Sequence, residues 1–70
     1  MESQRRYELI KARKDIGFFQ KDVVALLSKD HDIKITESYY GMIEQGVRTP
    51  NLILALSISK VLSKDPEQFF

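Results

Sequence analysis

The sequence predicts an all-α chain, a compact five-helix bundle forming one domain over residues 1–70. Three observations carry this. Apolar residues recur at helical spacing through most of the chain. Cap and stop residues bracket those stretches: Thr36 before one and Gly46 after it, Asn51 and Pro66 at the starts of two others. Strand-like alternation is confined to Ile33 and Ile35.

The elements follow in order. Ser3 is placed to cap a first helix running to about Lys14, with Tyr7, Leu9, Ile10, Ala12 and Ile16 as a loose apolar stripe. Gly17 follows as its stop. "FFQKDVVALLSKD" reads as a second helix, about residues 19–29. Its stripe is Phe18, Val23, Val24 and Leu27, with Lys21 and Asp22 outside. "SKDHDIKIT" is a polar connection whose extended end turns Ile33 and Ile35 inward. Thr36 caps a third helix, about residues 36–45, and Gly46 ends it in a left-handed conformation. Asn51 caps a fourth helix. Leu52, Ala55, Leu56, Ile58, Val61 and Leu62 form its core stripe, leaving Ile53 and Leu54 outside. "DPEQFF" is a short last helix with Pro66 at its first position.

Composition narrows the function. Seventy residues make a small core with little surplus stability for a strained catalytic pocket. No Ser/His/Asp set, glycine-rich phosphate loop or ligand cluster is present, and His31 stands alone, so no enzyme, cofactor or metal is expected. The absence of cysteine excludes disulfides and thiolate metal sites, and is compatible with a reducing cytoplasm. No apolar run approaches the ~18 residues that would cross a membrane. "MESQRRYELIKARK" is too polar for a secretory signal. Eleven basic against ten acidic residues give a net charge of +1, which by itself selects no partner.

The third helix poses the question of function. Gly41 sits in its middle, where glycine costs about 1 kcal/mol relative to alanine. Tyr40, Ile43 and Glu44 share one face; Glu37, Ser38, Gly41 and Met42 largely share the other. That outer face is not a simple solvent face.

The order Arg13, Gly17, Gln20, a valine pair, "YYGMIEQG", "RTPN" and an apolar helix resembles the lambda-repressor-like, Cro-type helix-turn-helix domain of the Xre family. The resemblance covers Leu9 to Phe70 and rests on the combination, not on one motif. It implies that the second and third helices form a helix-turn-helix whose third helix enters the DNA major groove. Three departures stand out. The connection between the motif helices is longer than the usual turn by about six residues, which resembles the extended turn of POU-specific domains. Phe19 stands where the family prefers a serine or threonine cap, and Val24 where it prefers a small residue.

The resemblance implies roles residue by residue. Thr36, Glu37, Ser38, Tyr39 and Met42 belong to the DNA-facing helix. A carboxylate accepts from a cytosine amino group, serine pairs with several bases, and methionine offers an apolar contact to a thymine methyl. The alternatives are a favourable helix dipole for Glu37, partial packing for Tyr39 and gap filling for Met42. Gly41 either lets the helix sit deeper against DNA or is simply tolerated. Gln20 would donate to a phosphate, and Lys34 and Arg48 would contact phosphates from the flanking loops. Arg5, Arg6, Lys11 and Lys14 read as a solvated face. Arg13 and Glu44 resemble the family's structural ion pair. Ile53 and Leu54, or the Phe69–Phe70 end, are the expected dimer interface.

The expectation is therefore a double-stranded DNA-binding regulator, a repressor acting as a homodimer in the cytoplasm, with no membrane partner. An antitoxin that also binds a toxin is the first alternative. A protein-interaction bundle is the second, argued by the lack of lysine or arginine in the third helix.

Overall fold

The computed structural model describes residues 5–70. Four α-helices follow one another: α1 Tyr7–Asp15, α2 Gln20–His31, α3 Glu37–Gln45 and α4 Leu52–Val61. A single 3-10 turn, Pro66–Gln68, closes the chain, and no strand occurs among the described residues. The fifth helix expected from "DPEQFF" is thus one turn. The Phe69 and Phe70 amides both donate back to the Pro66 carbonyl, and only three residues are helical.

The helix starts follow from local chemistry. Thr36 Oγ1 accepts from the Tyr39 amide at 3.0 Å, and Asn51 Oδ1 from the Leu54 amide at 2.8 Å. Phe19 cannot cap with its ring, but Asp22 Oδ2 accepts the Phe19 amide at 2.7 Å, the reciprocal half of a capping box. Ser3 lies outside the described residues; α1 begins at Tyr7 with Arg6 as its N-cap and no side-chain cap bond.

Every α-helix stops on a left-handed residue. These are Gly17, Asp32, Gly46 and Ser63, with φ of 77°, 54°, 80° and 57°. In each case the next amide reaches back to a carbonyl of the last turn: Phe18 to Arg13, Ile33 to Leu27, Val47 to Met42 and Lys64 to Ser59. The stop at Asp32 lets α2 run two residues past position 29. The connection to α3 is then Asp32 to Thr36, five residues, not the longer link expected from the sequence.

The core lies where the four helices meet. Leu9, Ala12, Val23, Leu27, Tyr40, Ile43, Leu54, Ile58, Leu62 and Phe69 form it, with Ile33 and Ile35 of the connection packed at its edge as expected. α2 packs on both α3 and α4, α1 packs on α3, and the final turn packs on α4. The radius of gyration is 10.9 Å, close to the ~11 Å of a compact chain this long.

Two apolar stripes are rotated from expectation. In α1 the buried residues are Leu9, Ala12 and Arg13, while Tyr7 and Ile16 are exposed. In α4 they are Leu54, Ala55, Ser57, Ile58, Ser59 and the following Leu62. Leu52 and Leu56, expected inside, are 73% and 40% exposed. Serines occupy the inner face because they are small, and Ser59 satisfies its hydroxyl on the Ala55 carbonyl at 2.8 Å. Leu54 and Phe69, expected at a dimer interface, are core residues only 6% and 8% exposed. No described helix is long and apolar enough to cross a membrane.

Candidate nucleic-acid interface

α3 presents two faces of different character. Its inner face is fixed. Tyr40 and Ile43 are fully buried and Glu44 nearly so. Arg13 of α1 grips the Glu44 carboxylate with two hydrogen bonds, Nε to Oε2 at 2.7 Å and Nη2 to Oε1 at 3.1 Å. Its remaining Nη1 donates to the Phe18 carbonyl at 2.8 Å. Gln20 Nε2 adds a third bond to the carboxylate, reaching Oε1 at 2.9 Å. Glu44 thereby ties α1, the start of α2 and α3 together.

The electrostatics follow from that geometry. Burial alone pushes the Glu44 carboxyl up. The hydrogen bonds from Arg13 and Gln20 outweigh it and hold the group below its ordinary value of 4.5. The same bond to Glu44 raises the Arg13 pKa. The Tyr40 hydroxyl sits beside this pair, buried and with no hydrogen-bond partner among the described residues. Burial first, and then the Glu44 charge, push it far above the usual phenol range.

The outer face is open. Glu37, Ser38, Gly41, Met42 and Gln45 of α3, with Gln20 of α2, line a shallow depression. Gln20 and Glu37 also border a second one with Arg13, Phe19 and Lys21. Gly41 gives this surface its shape. A methyl group built there would lie 3.5 Å from Gln20 Oε1, so the amide of Gln20 lies across the glycine on its way to Glu44. That is an ordinary contact distance, so Gln20 does not by itself require the glycine.

The expected contact residues divide into three groups. Glu37, Ser38 and Met42 lie together at the depression, with Glu37 and Ser38 exposed and Met42 half-buried. Arg48 is exposed in the loop after α3, its amide tied to the Met42 carbonyl at 3.2 Å. The others are partly committed elsewhere. Gln20 spends one donor on Glu44, and Thr36 spends its hydroxyl oxygen on the Tyr39 amide. The Tyr39 ring is half-buried against the core, the packing alternative. Lys34 is exposed but leans toward α2, with Nζ 3.5 Å from Ser28 Oγ and 3.7 Å from Asp32 Oδ1.

Of the expected dimer residues, Ile53 is 69% exposed and Phe70 is partly exposed, whereas Leu54 and Phe69 are spent in the core. Leu52 and Leu56 join Ile53 on the open side of α4, and the nearby loop residue Val47 is also exposed. Sequence reasoning missed Arg6. Far from a solvated charge, its guanidinium bonds the Ile43 carbonyl in the last turn of α3 and the Arg48 carbonyl in the loop after it. One signal was available: α3 has no basic residue in its last turn, so its carbonyl end needs a cation from elsewhere.

No family model, no curated protein and no solved structure matches this chain.

Proposed function

We propose that the chain is a sequence-specific double-stranded DNA-binding regulator of the helix-turn-helix type, a repressor that uses α2 and α3 as the motif and binds as a homodimer. The observation that carries this reading is the asymmetry of α3. Its inner face is locked by the Arg13–Glu44 pair, while its outer face keeps Glu37, Ser38 and Met42 unencumbered around a shallow depression. A rigid helix with short polar and apolar side chains on its free face suits base-edge readout in a major groove. Phosphate anchoring falls to Arg48, Lys21 and the remaining donor of Gln20 at the margins of that face. The open side of α4, with Leu52, Ile53 and Leu56, supplies an apolar surface for the second subunit. Two subunits would then read half-sites about one helical turn apart, ~34 Å.

One observation favours a second reading. α3 carries no lysine or arginine, while α4 exposes three large apolar residues. That balance suits a DNA-binding antitoxin whose apolar face is covered by a protein partner.

The test is retention of the protein on a random double-stranded DNA pool at moderate salt, with sequencing of the bound fraction. A two-fold symmetric motif supports the first reading, and exchanging Ser38 or Met42 should shift that motif. Weak, motif-free, salt-sensitive retention would refute specific recognition and favour the second.

A further inference from the structure

The last turn of an α-helix leaves carbonyls without intrahelical partners, and a cation there is favourable. In α3 these carbonyls are accounted for in an unusual way. Met42 accepts from the Val47 and Arg48 amides at 3.0 and 3.2 Å, and Ile43 from the Gly46 amide at 3.1 Å. The Ile43 carbonyl also accepts Arg6 Nη1 at 2.7 Å, and the Glu44 carbonyl accepts the Arg6 amide at 2.8 Å. The same Nη1 reaches the Arg48 carbonyl at 3.1 Å. Arg6 is itself the N-cap of α1, its carbonyl accepting the Ile10 amide at 3.1 Å. On its other side the guanidinium stacks over the Phe70 ring, 5.2 Å from the centroid.

We propose that Arg6 is a positioning residue for the DNA-facing surface: it caps α3 from 37 residues away and fixes the Gly46–Arg48 segment, so that the Arg48 side chain meets a phosphate in register with α3. This rests on the DNA-binding reading above. The physical basis is Nη1 of the guanidinium, whose two N–H groups reach two carbonyls, one in α3 and one in the loop, while the group carries the charge that the helix end lacks. A lysine supplies the charge without the planar group that lies over the Phe70 ring. Arg6 therefore sets the position of a contact that it does not make.

The experiment uses the full chain and two variants, Arg6→Met and Arg6→Lys. Backbone amide exchange is followed by NMR, and affinity for the duplex selected by the wild type is measured across a salt series. In Arg6→Met the Val47 and Arg48 amides should exchange about tenfold faster, the size expected for losing a charge-assisted hydrogen bond, while the Leu27 and Ile58 amides hold. Arg6→Lys should fall between. Affinity of Arg6→Met should drop, and its slope against log salt should shrink by about one, as in Arg48→Met, with no further loss in the double variant. Unchanged exchange at Val47 and Arg48 would overturn the cap. A rise shared equally with Leu27 and Ile58 would reduce Arg6 to a general stabiliser and overturn it too. Wild-type affinity and slope in Arg6→Met would overturn the positioning role even with altered exchange. If the wild type itself retains no duplex, the DNA reading fails and the positioning role falls with it, an outcome distinguishable because the exchange result stands by itself.

Discussion

Arg13 and Glu44, 31 residues apart in the chain, meet as a two-pronged ion pair whose side chains are only 9% and 3% exposed. Removing one partner leaves the other charge buried and unpaired, which costs about 3–5 kcal/mol. A chain of this length has on the order of 4–10 kcal/mol in total. Arg13→Met or Glu44→Met alone should therefore lower the urea midpoint by roughly half or more. The double variant should recover much of the loss, because two apolar groups of similar volume leave no orphan charge. Additive losses in the double variant would mean that the two side chains act independently.

The same pair fixes a pH response. The folded Glu44 carboxyl lies below its ordinary value of 4.5, so its contribution is fully present above pH 4.5 and is lost as pH falls through the folded value. Stability measured by urea unfolding should decline on acidification through that region. Glu44→Gln should be less stable near neutrality but lose less over the same acid range. Parallel acid profiles for the two proteins would assign the decline to other carboxylates.

Gly41 separates folding from recognition. An added methyl group would meet Gln20 Oε1 at 3.5 Å, an ordinary contact, and the backbone there is helical. Gly41→Ala should therefore raise stability by up to about 1 kcal/mol. If α3 lies close against a DNA groove, the same methyl should weaken duplex retention. A variant that is both more stable and equally well retained would show that the glycine is not needed for a close approach to DNA.

α4 offers a contrast between neighbours. Leu54→Ala should cost about 2–5 kcal/mol because the side chain is in the core. Ile53→Ser, one residue earlier and largely exposed, should stay within about 0.5 kcal/mol in the monomer. Sedimentation on and off DNA should show Ile53→Ser and Leu52→Ser shifting the protein toward monomer. An unchanged mass distribution would move the subunit contact elsewhere.

Ser63 holds a φ of 57° without the conformational freedom of glycine. Left-handed backbone costs an ordinary L-residue roughly 1–2 kcal/mol. Ser63→Gly should accordingly stabilise the chain by about 0.5–1 kcal/mol, read as a higher thermal midpoint. A lower midpoint would mean that the Ser63 side chain contributes something beyond the turn.

What the sequence disclosed follows a physical line. The caps at Thr36 and Asn51 and the stop at Gly46 were legible because each rests on bonds between residues close in sequence. The division of α3 into Tyr40, Ile43 and Glu44 inside and Glu37, Ser38 and Met42 outside followed from helical periodicity. The orientation of α4 did not. Leu52 and Leu56 are more apolar than Ser57 and Ser59, yet the serines are inside because the packing there needs small side chains and Ser59 bonds its own helix. The role of Arg6 was illegible for a different reason. Its partners are carbonyl groups, which every residue carries, so no residue type marks them. The commitment of Gln20 to Glu44 and the space left by Gly41 likewise needed the third dimension.

The four left-handed helix stops also bear on how fast the chain finds its shape. None of the bonds that close them spans more than six residues. Helix lengths are thus written into short segments that form on the sub-microsecond to microsecond scale, before distant parts of the chain must meet. The remaining search is a few loop closures, which bring α4 against α2, α1 against α3 and Phe70 under Arg6. Their entropy cost grows only slowly with length. A topology of this kind belongs with the microsecond-to-millisecond folders, and it gives exposed apolar surface little time to find another chain.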